Sequence, residues 1–269
     1  MPQALVTQAN LVTGLRDLGV RTDDLLFVHA SLSRFGHVEG GASTVIGALL
    51  ETIGPGGTLA MPGFTFGLKD VPQPIFDVRH SPCWVGKIYE LFRTEYATHR
   101  SRHLTHSVCA CGGRAAALTA DHGPAPCGTS SPFPKLARWQ GKILLLGVGH
   151  NNSTTFHAVE EQEQLPYMGL TAHADARIID EQGEERALPT LLHAPTRSYD
   201  FNRMNEPLAH AGIQRESFIG DSLVRCVEAG RMFEFAVAAV RRDPEALLRQ
   251  GDERVQIPVG RVEGQTVCS

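Results

Sequence analysis

Leu144-Leu145-Leu146-Gly147-Val148-Gly149-His150-Asn151-Asn152-Ser153-Thr154-Thr155-Phe156-His157-Ala158-Val159-Glu160 decides the fold class. An apolar run stops at glycine, passes through small hydroxyl and amide residues, and ends on a histidine and a glutamate. That order reads as a buried strand, a loop at its carboxyl end and a helix from about Thr155. Open α/β sheets place ligands at such strand ends. His157 and Glu160 stand at i and i+3, so both lie on one helix face. The partial positive charge of a helix N-terminus disfavours an imidazolium. A neutral imidazole oriented by a carboxylate can accept a proton. The plain alternative is a surface histidine beside a solvated acidic run, since Glu161 and Glu163 follow.

The flanking segments repeat the α/β pattern. Leu11, Leu15 and Leu18 recur at helical spacing up to Gly19, and Leu25 to His29 is a short apolar strand. Phe35 to Gly41 is a glycine-rich loop, a helix follows Ser43 and stops at Gly54, and Thr58 to Met61 is the next strand. This predicts a βαβ unit. Phe64 to Ser81 lacks periodicity and holds several prolines, so it reads as a surface excursion. Helical patterns cover Trp84 to Arg93, the segment after Gly113 to about Ala120, and Phe233 to Arg242; Ser107 to Cys111 is a strand. Glu181-Gln182-Gly183-Glu184 between two apolar runs marks a hairpin, and Ser217 to Ile219 with Leu223 to Val227 marks another. The expectation is a single α/β domain over 1–269, with a central mixed sheet flanked by helices and a hairpin-bearing C-terminal part.

Composition excludes several classes. The 269 residues carry 25 Lys and Arg against 29 Asp and Glu, a net charge of −4, so the basic footprint of nucleic-acid binding is missing. No stretch has the apolar length of a membrane helix, and Met1 to Gly19 lacks a basic head before an apolar block; the expected location is cytoplasmic. Cys83, Cys109, Cys111, Cys127, Cys226 and Cys268 are dispersed and read as reduced thiols, with Cys109 and Cys111 on one strand face. His99 and His103 have helical ligand spacing on a connector that reads as non-helical, and no third ligand is evident. No metal is expected.

Two further constellations bear on chemistry. His29 ends a strand, and Ser31, Ser33 and Gly36 follow it, a setting able to hold a polar ligand or simply an ordinary turn. Arg100-Ser101-Arg102-His103-Leu104-Thr105-His106-Ser107 offers arginines for phosphates or a solvated connector. A strained Gly-x-Ser-x-Gly turn is absent.

These elements together resemble the aminoglycoside 3-N-acetyltransferase family, also called the antibiotic N-acetyltransferase family. Val28-His29-Ala30-Ser31-Leu32 with Gly36 resembles its His-Ser-Ser-Leu element, and Gly57-Thr58-Leu59-Ala60-Met61-Pro62 its Gly-Thr-Leu-x-Met-Pro strand. Phe76-Asp77, Ser81-Pro82, Gly86 and Phe92-Arg93 follow in family order. So do Arg100-Ser101 with His103, Ser107, Gly128, Ser131-Pro132, Leu145-Leu146-Gly147, and Thr155 to Glu160 with His157. The resemblance runs from about Leu25 to Leu248. Ala30 replaces the usual serine, Leu104 a proline, and Glu95-Tyr96-Ala97-Thr98 a Pro-Gly turn, departures that bear on substrate preference.

The resemblance implies transfer of acetyl from acetyl-coenzyme A to the 3-amino group of a 2-deoxystreptamine aminoglycoside, by direct attack in a ternary complex. It implies His157 as general base oriented by Glu160, with His29 as a secondary candidate and Thr155 as an oxyanion donor. Ser31, Leu32, Ser33, Phe35 and Gly36 are expected to line the pantetheine arm, completed by Arg100, His103 and Ser107. Glu161, Asp175 and Asp200 are expected to meet a cationic acceptor, with Glu160 and Glu163 also available. Competing readings are a same-fold acetyltransferase for a non-antibiotic amine, a metal-dependent amidohydrolase built on the twelve histidines, and a coenzyme A-binding protein without turnover.

Overall fold

The apolar run that opens the deciding segment is a strand, Lys142–Leu146, inside a seven-stranded sheet. In the computed structural model, which describes residues 5–251, that sheet is built from Leu25–Ala30 (β1), Thr58–Pro62 (β2), His99–Arg100 (β3), Val108–Gly112 (β4), Lys142–Leu146 (β5), Gln214–Ile219 (β6) and Ser222–Glu228 (β7). The spatial order is β6-β7-β5-β1-β2-β4-β3. β1 runs parallel to β2 and β5, and the outer pairings are antiparallel. The sheet is therefore mixed, as the sequence predicts.

Alternation along each strand feeds two cores. Leu25 and Phe27 of β1, Ala60 of β2, Val108 and Ala110 of β4, and Ile143 and Leu145 of β5 face one side. Leu26, Val28, Leu59, Met61, Cys109, Cys111, Leu144 and Leu146 face the other. The second side is covered by Gln8–Asp17 (α1), Gly41–Ile53 (α2) and Lys87–Glu95 (α3). The first is covered by Ala115–Thr119 (α4), Pro132–Arg138 (α5), Thr155–Gln162 (α6), Asn205–His210 (α7) and Ala229–Arg242 (α8). Each fully buried Leu or Phe in these layers contributes about 1.5–3 kcal/mol before the entropy of ordering is subtracted. Cys109 and Cys111 do share one strand face, and the five described cysteines are free and buried; Cys268 lies outside the described residues.

The β1–α2–β2 segment is the expected βαβ unit, with β1 and β2 parallel neighbours. Both C-terminal hairpins form: Arg177–Ile179 pairs with Glu185–Ala187, and β6 with β7. Two expectations are corrected. The 64–81 excursion contains a strand, Ile75–Asp77, parallel to Arg177–Ile179, with Phe76 fully buried. The helix expected from Trp84 starts at Lys87, because Gly86 takes a φ of 152° ahead of it. The antiparallel pair Met168–His173 and Thr190–Pro195 has no counterpart in the reading.

Candidate active site

β5 ends at Leu146, and Gly147 turns the chain with a φ of 68°. A Cβ at Gly147 would stand 2.6 Å from the Arg34 Cβ and 3.2 Å from the Ser31 carbonyl, so the strand ends of β1 and β5 can approach only through a glycine. The loop continues through a 3₁₀ turn, His150–Asn152, and delivers α6 at Thr155. Side chains at i and i+3 then meet: His157 Nδ1 lies 2.6 Å from Glu160 Oε2. The glutamate side chain is fully buried and that of the histidine is 13 % exposed. The carboxylate holds the proton of the neutral ring on Nδ1 and leaves Nε2 as the acceptor. The plain alternative, a solvated histidine, is not what the fold builds.

Aromatic rings fix the imidazole. Tyr199, Phe201 and His193 surround it with centroids 5.0, 5.0 and 4.9 Å away. Thr155 Oγ1 and Ser153 Oγ are buried with no hydrogen-bond partner within the protein. The Tyr167 phenol lies in this neighbourhood, raised by burial and then by the Glu160 carboxylate.

His29 lies on the same sheet face as Phe27, its ring 5.0 Å from that phenyl group. It is buried and its Nε2 is unpartnered. Burial, reinforced by His150, pushes its pKa down to about 3, which makes it a weak proton acceptor at neutral pH. Of the two imidazoles put forward, the geometry favours His157 as the base.

Ser31, Arg34, Gly147, Gly149, Asn152 and Arg225 line a cavity of about 470 Å³ at the strand ends. Ser31 and Ser33 are linked through their hydroxyls at 3.2 Å, and Leu32 starts a short 3₁₀ turn beside them. Gly36 takes a φ of 75° at the end of that turn. Phe35, expected on the coenzyme, is fully buried in the core under α2 instead.

Arg100, His103 and Ser107 also depart from expectation. Their connector, Arg102 excepted, is buried rather than solvated. Arg100 donates to Ser107 Oγ (3.1 Å) and to the carbonyls of Val78 (3.3 Å), Ser81 (2.6 Å) and Gly63 (2.7 Å), with its guanidinium 4.7 Å above the Phe76 ring. Ser107 donates to Gly63. His103 Nδ1 accepts from the amides of Thr105 and His106, and its Nε2 meets the Pro124 carbonyl. Arg100 does border a second cavity, of about 1000 Å³, at the β3 edge with Arg93, Arg102 and His122, but neither cavity is lined by His157. These three residues tie loops together. Arg100→Leu is expected to destabilise the fold by about 3–5 kcal/mol, since it leaves buried carbonyls without donors. Urea denaturation measures this. A loss below about 1 kcal/mol with coenzyme affinity abolished would return Arg100 to a ligand role.

Glu161 is the acidic residue that does join His157, through His193: Glu161 Oε1 meets His193 Nε2 at 2.7 Å and accepts from the Cys127 amide at 2.8 Å. Glu163 is occupied by Arg241. Asp175 sits exposed in the turn between Met168–His173 and Arg177–Ile179. Asp200 follows Tyr199 at the start of the 3₁₀ turn Phe201–Met204. The sequence reading missed Cys127, His193, Tyr199 and Phe201. Thr190-Leu191-Leu192-His193-Ala194-Pro195 does not alternate polar with apolar residues, and nothing local connects His193 to Glu161.

The family model for aminoglycoside 3-N-acetyltransferases matches residues 27–241. An aminoglycoside N(3)-acetyltransferase IV from a Salmonella species is 30 % identical over 244 residues, covering 88 % of each chain. Among solved structures, a variant of aminoglycoside acetyltransferase AAC(3)-IVa in complex with a gentamicin superposes with a TM-score of 0.81 at 29 % identity, covering 93 % of both chains. The binary complex of AAC-IIIb with CoASH gives 0.78 at 26 % identity, covering 89 % of this chain and 97 % of that one. No helix among the described residues is long and apolar enough to cross a membrane.

Proposed function

This chain belongs to the aminoglycoside 3-N-acetyltransferase family, and from that premise we propose that it moves an acetyl group from acetyl-coenzyme A to the 3-amino group of a 2-deoxystreptamine aminoglycoside. The observation that carries the reading is the 2.6 Å contact between His157 Nδ1 and Glu160 Oε2, on a ring that retains access to solvent. An ammonium is no nucleophile: its first proton goes to solvent as the free amine forms, and the attacking nitrogen must lose a second as it bonds. His157 Nε2 accepts that proton while Glu160 holds Nδ1–H and balances the charge that forms on the ring. The amine nitrogen bonds to the thioester carbonyl carbon, and collapse of the tetrahedral species breaks the C–S bond. The imidazolium returns its proton to the departing thiolate. Thr155 Oγ1, buried and unpartnered, is the side-chain donor proposed for the oxyanion.

The coenzyme is assigned to the cavity beside Ser31, Leu32, Ser33 and Gly36, with Arg34 and Arg225 at its border for phosphate oxygens. The acceptor amine approaches from the side of Glu161 and the Tyr199 and Phe201 rings. Support comes from relatives: AAC(3)-IVa is described with a gentamicin and AAC-IIIb with CoASH.

Thiol release from acetyl-coenzyme A tests the reading. Gentamicin and other deoxystreptamine aminoglycosides are expected to give turnover, with mass spectrometry locating the acetyl group on the 3-nitrogen. Release with unrelated amines alone would overturn the acceptor assignment and leave acetyl transfer standing. No release with any amine would overturn both.

A further inference from the structure

We propose that Cys127, Glu161 and His193 form a binding site for a divalent first-row transition metal, zinc by preference, beside the catalytic pair. Their ligand atoms all lie within 4.8 Å of one another. The three come from separate places in the fold. Cys127 precedes α5 in the 120–131 loop, Glu161 sits on α6, and His193 lies on the strand Thr190–Pro195. A thiolate, an imidazole nitrogen and a carboxylate oxygen are zinc's ordinary ligands, at about 2.0–2.3 Å. On one tetrahedral ion such atoms stand roughly 3–4 Å apart. The His193–Glu161 contact of 2.7 Å must therefore open slightly and the widest separation close. Three protein ligands leave one position for water or a ligand.

Charge points the same way. Glu160 and Glu161 are consecutive carboxylates with side chains 0 % and 5 % exposed, and each is paired to an imidazole, His157 and His193 respectively. A bound dication compensates the two carboxylates and takes Cys127 as thiolate, the thiol proton leaving to solvent. The backbone already orients the ligands: Cys127 N–H holds Glu161 Oε1, and the Cys127 sulfur lies 3.9 Å from the Thr154 carbonyl. A filled site adds one net positive charge, the dication less the thiol proton, next to the His193 ring, 4.9 Å from that of His157. Zinc is then an inhibitor that opposes a cationic acceptor; that consequence rests on the acetyl-transfer reading, whereas binding does not.

Cobalt(II) provides the probe, because a cobalt–thiolate bond gives a near-ultraviolet charge-transfer band. Titration of chelator-treated protein is expected to raise such a band, saturating at one equivalent and bleached by added Zn²⁺. Cys127→Ser should abolish the band, and Cys83→Ser should retain it. His193→Ala should weaken binding by at least ~100-fold, since outer-shell partners alone are worth about 10–100-fold. Circular dichroism checks that each variant folds; if Cys127→Ser does not, His193→Ala decides. No band at saturating Co²⁺ in the wild type, an equal band in Cys127→Ser, or unchanged affinity in His193→Ala overturns the site.

Discussion

His157→Ala is expected to lower kcat by ~10²–10⁴-fold while coenzyme affinity stays close to that of the wild type. The size follows from what is left behind. His29 cannot substitute, because burial pushes it down to about 3. His193 is lowered by burial too, and its Nε2 is engaged with Glu161. Glu160 then has no ring to orient. Nothing in the site recovers the proton of the attacking amine except solvent. The coenzyme cavity is lined by other residues, so its dissociation constant, from calorimetry, separates lost chemistry from lost binding. Truncation also removes a ring from the Tyr199, Phe201 and His193 packing, and a melting curve detects any collapse there. A fall of less than tenfold in a folded variant would remove His157 from the role of base. Glu160→Gln complements this: it keeps the shape and removes the charge that balances the imidazolium, and is expected to slow turnover without changing coenzyme affinity.

What the sequence makes legible is local. Leu144 to Gly147 announces a strand and its end because an apolar run and a glycine stand next to each other. His157 and Glu160 are paired by helical periodicity alone, and the 2.6 Å contact is what i, i+3 geometry delivers. The two hairpins follow from turn residues between apolar runs. What is not legible is whatever the fold assembles from distant segments. Arg100 in a run of polar residues looks like a phosphate ligand or a solvated cation, yet its donors are taken by carbonyls 19 to 37 residues away. Phe35 sits in a glycine-rich loop beside two serines, but the 3₁₀ turn at Leu32–Arg34 directs it into the core. Cys127 and His193 stand 34 and 32 residues from the glutamate they meet, and no spacing rule connects them. Chemistry carried on one helix turn could be read; chemistry shared between loops could not.

Mild acid is expected to unfold this protein well before its carboxylates titrate. Five imidazoles are buried in neutral form: His29, His103, His106, His122 and His150. Burial is the leading cause in each, lowering His29 to about 3, His122 and His150 to about 4, and the other two well below the ordinary value. At His103 the hydrogen bonds show why a second ring proton does not fit. His103 Nδ1 receives two backbone amides, and a proton there would displace both. The sign follows from proton counting. Above pH 6.5 both states hold these rings neutral and nothing is lost. Below it the unfolded chain takes up protons that the native state refuses, so stability falls until the native values are reached near pH 3–4. At pH 5.5 each such ring costs about 1.4 kcal/mol, or about 4 kcal/mol for His29, His122 and His150 alone. That is comparable with the whole stability of a typical domain, about 5–15 kcal/mol. The melting temperature is therefore expected to drop steeply between pH 7 and 5.5, and His122→Asn should flatten part of that slope. A melting temperature constant across this window would mean that these rings accept protons in the native state, and the buried neutral network would be wrong.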